Sequence, residues 1–302
     1  MRFREGRESV KDDERSSEPT TRRPEDNIAA VDKAVKEDRN VTSRLTADTL
    51  GIPKTIVLRI LREDLKKRKL CSKFVPHALT REQMDERVSE CQDLLNMING
   101  DNFLDKVIMG DESWCFAYDP ETKRQSSEWA GEHFPRPKKL RFQKSKVKTI
   151  LILFFDSQGI VHKEFVQEGC TVGAEYYEGV LDRLISRIRR VRPALYRTRD
   201  FFLLHDNAPA HSAAKIRQFL TQKQVATLNH PPYSPDLSPP NYFLFPKVKL
   251  QLKGARFDTI EEIQKAVTDQ LNKIHAEDFS NAMKKLETHA NLCITSNGSY
   301  FE

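Results

Sequence analysis

Residues 201–213 read FFLLHDNAPAHSA: four bulky apolar side chains run into His205, Asp206 and Asn207, and the run breaks at Pro209. An apolar run of this kind, bounded by a proline, describes a strand buried on both faces. An ionised carboxylate is costly in such surroundings, so Asp206 has to emerge at the strand tip, where water, a cation or a hydrogen-bond donor meets it. Upstream, LDKVIMGDESWCF at 104–116 repeats the arrangement, with a short apolar strand ending at Gly110 and Asp111. Two strands that each deliver an acid to one sheet edge make a site for a hard cation such as Mg2+. Taken singly, each aspartate is more often structural, for instance as the cap of a following helix.

Outward from these two strands the pattern is mixed. VKTILILFFDSQGIVHKEFV (147–166) gives two apolar runs around DSQG, the signature of a β-hairpin. Helical spacing occupies roughly 174–190, 212–220, 241–252 and 260–274, with a shorter helix near 279–286 and a short strand in QVATLN at 224–229. A proline-rich loop, HPPYSPDLSPP, fills 230–240. Strands first, then strands alternating with helices, predict an α/β domain around a central sheet over 104–302. Residues 71–103 read as a connector with one helix near 84–95.

The front of the chain differs. Residues 1–26 mix both charge signs with Ser, Thr and Pro and show no apolar period, as a linker does. From 27 to 70 three short helices fit, and TSRLTADTLGIPKTIVLRILRED (42–64) has the form of a helix-turn-helix. Its second helix would turn Lys54, Thr55, Arg59 and Arg62 outward, and Lys66, Lys67 and Arg68 follow as a cationic cluster suited to phosphates. The same spacing also suits a three-helix packing unit with a solvated basic face.

Composition sets limits. At 302 residues the chain is long enough for two domains, and its net charge of +6 fits a polyanionic partner as it fits many soluble proteins. No run approaches the 18 or so apolar residues of a membrane span, and the charged first thirty residues lack a signal peptide's apolar centre, so no membrane partner and an intracellular protein are expected. Five scattered cysteines without a CxxC argue against a disulfide framework and a zinc knuckle. His205, His211 and His230 could ligate zinc, although no His pair falls at metal-binding spacing on a helix. GxSxG and glycine-rich phosphate loops are absent, which disfavours serine hydrolases and nucleotide-cofactor enzymes.

In order along the chain, FVPHAL (74–79), GDESW (110–114), KSKVKTILILFFDSQGIVHKEFV (144–166), HDNAPAH (205–211), YSPDL (233–237) and SNGSYFE (296–302) together resemble mariner-type transposases of the Tc1/mariner group. The resemblance implies an all-α helix-turn-helix DNA-binding domain followed by a ribonuclease H-like catalytic domain. It implies double-stranded DNA as partner: transposon terminal repeats and a TA target. It further implies two Mg2+ (or Mn2+) ions held by three acids, DNA cleavage and strand transfer, a nuclear location, and pairing of subunits as a homodimer. Asp111 matches the first acid and Asp206 the second. The third follows after 34 intervening residues, which falls on Asn241, within an otherwise matching PPNYFLFPKVK. Catalysis should therefore be impaired, by roughly 2 to 4 kcal/mol of transition-state stabilisation. Asp236, five residues away, could be imagined as a substitute, but it sits in the proline-rich loop, where local hydrogen bonding is its expected work. Residues 1–26 resemble the end of the family's first helix-turn-helix and its linker, so most of that module is expected to be missing, and SSEP at 16–19 stands where a GRP-type contact is usual. An inactive or co-opted DNA-binding protein is the alternative.

Overall fold

The computed structural model describes residues 24–70, 75–100, 102–128, 138–140 and 142–301. They divide into two compact units, with the boundary between positions 74 and 75. Of the linker and remnant expected in residues 1–26, positions 1–23, with the SSEP stretch, lie outside the described residues, as does Cys71.

The first unit is all helical. Helices α1 (Glu25–Glu37), α2 (Ser43–Leu50) and α3 (Lys54–Arg59) enclose a small core of Val31, Ala47, Ile52, Val57 and Ile60. The Thr42 side chain caps α2 by accepting the Leu45 N–H, and Gly51 ends that helix in the left-handed region at φ 66°, where a Cβ would be strained. Beyond Arg59 the helix widens into a π-helical turn, Ile60–Asp64. Lys54, Thr55, Arg59, Arg62, Lys66 and Arg68 are exposed. Lys67 instead turns back onto Asp32 of α1, and Lys69 donates to the Asn40 and Val41 carbonyls.

The second unit is built on a five-stranded sheet of order β3-β2-β1-β4-β5, formed by β1 (Val107–Phe116), β2 (Lys148–Asp156), β3 (Gly159–Phe165), β4 (Phe202–Leu204) and β5 (Ala226–Thr227). The first three strands pair antiparallel, while β4 and β5 join parallel to β1. Alternation sorts the side chains onto two faces. Val107, Met109, Leu153 and Leu204 face one core, closed by Val248 of α8 (Phe245–Leu252), Ile263 of α9 (Ile260–Leu271) and Phe279 of α10 (Ala276–Thr295). Ile108, Ile152, Phe154 and Leu203 face the other, closed by α5 (Ala174–Val191) and α7 (Ala214–Gln222). Helix α4 (Arg81–Ile98) packs on α10, and a short α6 (Pro193–Thr198) follows α5.

Two expectations change. The strand carrying Asp111 does not end there: β2 pairs with β1 as far as Phe116, so Asp111 sits in mid-strand. The last helix is far longer than 279–286, because its packing face toward α4 continues through small residues, Ala290 and Cys293. Among the described residues no helix is long and apolar enough to cross a membrane. Cys91, Cys115 and Cys293 are buried free thiols, and Cys170 is exposed.

Candidate active site

β1 and β4 stay in parallel register up to the pair Met109–Leu204, where β4 stops. Asp111 and Asp206 each lie two residues past that pair, Asp111 within β1 and Asp206 just beyond the end of β4. Gly110 lets the backbone reach this point. A Cβ there would overlap the ring of buried Phe154 on β2.

The gap left by β4 is filled by a π-helical turn, Pro240–Leu244, packed against β1. It brings Asn241 to the site. The Asn241 amide donates to Asp111 Oδ2 at 2.6 Å, and lies 3.2 Å from Ser238 Oγ. Ser238 donates to the same Asp111 oxygen at 3.3 Å, and the other, Oδ1, accepts the Glu112 N–H at 2.7 Å.

Asp111 is only 9% exposed. Burial, with the nearby charges of Glu112 and Asp206, pushes its carboxyl up to about 7. Asp206 is more open. Burial acts to raise it too, but hydrogen bonds from His211 and the Ala208 N–H outweigh that and hold it below the usual carboxylate range. His211 is the buried link between the strands: Nδ1 is 2.7 Å from Asp206 Oδ1, and Nε2 is 3.2 Å from Glu112 Oε1. Burial opposes its charged form, yet the two carboxylates outweigh burial and lift it to about 10. At neutral pH it is an imidazolium donating from both nitrogens. The imidazole of His205, lowered to about 4 by burial and the neighbouring His211 charge, stays neutral and lies 2.9 Å from the Tyr177 hydroxyl.

The arrangement sets three carboxylates, Asp111, Glu112 and Asp206, against one imidazolium. A buried acid raised by like charges is where a cation is most favourable, so the donor set fits a hard divalent ion between Asp111 and Asp206. Asn241 presents its N–H to Asp111 and would add a carbonyl oxygen on turning its amide. Among the described residues no three His, Cys, Asp or Glu side chains are arranged as a metal cluster. A cavity of about 400 Å3 lined by His205, Asp206, Asn207 and His211 opens beside the site.

The structure thus brings Asp111, Asp206 and Asn241 together and leaves Asp236 apart. Asp236 does not serve its own loop as the sequence suggested: it takes a two-pronged bond from Arg87 of α4, at 2.9 and 2.6 Å. Sequence reasoning missed Glu112 and the bridging use of His211. The signal available was position alone, one residue after Asp111 and five after Asp206.

The family model described as Transposase (partial DDE domain) matches residues 119–198, a span between Asp111 and Asp206 that includes neither. The chain is similar to the human histone-lysine N-methyltransferase SETMAR, 31% identical over 306 residues, covering all of this chain and 43% of that protein. A solved structure of the mariner Mos1 paired-end complex with Mg superposes with a TM-score of 0.82 at 30% identity, covering 100% of this chain and 86% of that one. That likeness shows a helix-turn-helix unit followed by a ribonuclease H-like domain. With the Mos1 transposase of Drosophila mauritiana it shares 32% identity over 303 residues, covering 100% of this chain and 86% of the relative, and the chain therefore belongs to the mariner transposase family.

Proposed function

We propose that the chain binds duplex DNA through residues 27–70, joined by the connector 71–103 to a catalytic domain over 104–302, and that it cleaves and joins DNA strands slowly. The observation that carries this reading is the convergence of Asp111 and Asp206, each two residues past the last β1–β4 pair, with Asn241 turned onto Asp111. In this reading Asp111 and Asp206 hold the divalent cation, Mg2+ or Mn2+, two ions being expected in a relative with a third acid. Such an ion, when bound, makes an attacking water or hydroxyl easier to deprotonate and stabilises the leaving oxygen. The chain's own groups do the positioning. His211 fixes the Asp206 carboxylate and, through Glu112, ties it to β1, while Ser238 and Asn241 hold Asp111. Asn241 is also the impairment: a neutral amide in place of a carboxylate binds a cation weakly, for an expected loss of about 30 to 1,000-fold in rate. Lys54, Thr55, Arg59, Arg62, Lys66 and Arg68 contact DNA, with Lys67 shared between phosphate and Asp32. The likeness to the Mos1 paired-end complex with left transposon end supports transposon ends as the DNA, a homodimer is the acting form in this reading, and action on DNA supports a nuclear location.

The test is supercoiled plasmid with Mg2+ or Mn2+, comparing the chain with Asn241→Asp and Asp206→Ala. Nicking that rises in the first and vanishes in the second is expected. One observation favours a second reading, a DNA-binding protein without catalysis: the Asn241 N–H occupies an Asp111 oxygen that a cation would need. Equal inertness of all three proteins, with duplex still retained through Lys54 and Arg59, would decide for it.

A further inference from the structure

Residues 183–199 contain seven arginines and no acid, a larger positive charge than the +6 of the whole chain. Three of them, Arg183, Arg187 and Arg190, recur at i, i+4 and i+7 and share one face of α5. That face and the edge strand β3 line a groove of about 730 Å3, to which Lys163 adds a fourth cation. None of the four touches the residues at Asp111.

Their partners leave charge to spare. Glu164 takes a two-pronged bond from Arg183, both contacts at 2.8 Å. Lys163 donates to the neutral Thr268 hydroxyl at 2.7 Å, with the Asp269 carboxylate nearby but not bonded to it. Arg187 gives Nε to the Val161 carbonyl at 3.3 Å, using one of its five donors and tethering the guanidinium to the strand. Among the described residues neither Arg187 nor Arg190 is paired with a carboxylate. The stripe from 183 to 190 is about 10 Å long at 1.5 Å per residue, and a DNA strand sets down a phosphate every ~3.4 Å of axis, so the stripe spans about three phosphates. The three arginines are mounted on a helix whose other face is buried in the core, which fixes their spacing.

We infer that this groove binds the phosphate backbone of duplex DNA without regard to sequence, holding a stretch of duplex that the helix-turn-helix unit does not read. The inference rests on the DNA-binding function proposed above.

The test uses the full chain and a labelled random-sequence 30-bp duplex, with fluorescence anisotropy followed from 50 to 200 mM KCl. Loss of two phosphate contacts lowers the salt exponent by about 1.8, so Arg187→Ala/Arg190→Ala should lose ~12-fold less affinity than wild type across that fourfold rise. Arg187→Lys/Arg190→Lys should keep the wild-type slope. The exposed single variant Arg190→Ala should lower the slope by about 0.9, which guards against a packing effect of losing Arg187. Unchanged slopes in the alanine variants, while Lys54→Ala/Arg59→Ala abolishes binding, would overturn this inference alone. A wild-type chain that binds no duplex would overturn both it and the function proposed above. Capture of a poly-glutamate peptide in preference to duplex, lost in the same alanine variants, would assign the groove to an acidic protein and overturn the DNA reading.

Discussion

Replacing Asn241 by Asp should make the folded protein depend on a divalent cation. The amide nitrogen donates to Asp111 Oδ2 at 2.6 Å. A carboxylate there loses a charge-assisted hydrogen bond and sets a second anion beside an acid already pushed up to about 7. Two unit charges ~4 Å apart repel by about 4 kcal/mol at an effective dielectric of ~20. Sharing a proton between the two acids relieves that repulsion, at a cost that grows with pH. A net destabilisation of about 3 to 5 kcal/mol at pH 7.5 follows, or ~10 °C in Tm for a domain of this size. The assay is thermal unfolding in EDTA and in Mn2+. The variant should melt ~10 °C below wild type in EDTA and recover at least half of that in Mn2+, since a ligand at 100 times its Kd adds about 2.7 kcal/mol. Wild type should respond less. The deficit in EDTA should shrink as pH falls below 7, because the protonated pair no longer repels. A variant that melts with wild type in EDTA, or gains no more from Mn2+ than wild type does, would refute the assignment of 111, 206 and 241 to one site.

Other perturbations follow from the same contacts. Gly110→Ala forces a methyl into the Phe154 ring, and should cost about 1 to 3 kcal/mol in denaturant unfolding and reduce any plasmid nicking, as Asp111 is the next residue. Arg87→Ala leaves the Asp236 carboxylate without its cation, and a loss of about 3 to 5 kcal/mol is expected in the same assay, whereas Glu90→Gln on the same helix should be near neutral. Glu164 is held down to about 2: burial acts to raise it, but the bonds from Arg183 and His162 outweigh burial. A lowered carboxylate stabilises the fold above its unfolded pKa of ~4.3 and loses that contribution as pH falls toward 2. Glu164→Gln should therefore be less stable than wild type by roughly 1 to 2 kcal/mol at pH 7, after solvent screening, and converge with it near pH 2 in urea titrations.

How far the sequence revealed this structure depends on the range over which each feature is determined. The hairpin at DSQG is local, and β2 and β3 meet there, with Gly159 at φ 128°. The periodic helix predicted over 174–190 is α5, for which one apolar stripe sufficed. Asp111 looked like the end of a strand because an acid interrupts the apolar run. The strand continues since β2 supplies backbone partners on one side, and a tertiary contact, the Pro240–Leu244 turn, accommodates the acid on its face. His211 was legible as a polar residue near Asp206, but its bond to Glu112 spans 99 positions and leaves no periodic trace. Arg87 was invisible. It stands in a helix rich in charge, where an arginine ordinarily meets water, and its partners are 147 or more residues away.

That arginine also constrains how the molecule can be made. Its guanidinium, fully enclosed, closes on Ser234 and Asp236 and on the carbonyl of Gly298, 211 positions later, where the Gly298 backbone packs directly against Met84. During synthesis α4 must wait, its cation unmatched, until nearly the whole second unit has left the ribosome. A nascent chain stopped short of position 298 keeps a sheet able to form but lacks the clasp between the two ends of that unit, and should be cleared by proteases rather than accumulate half-folded.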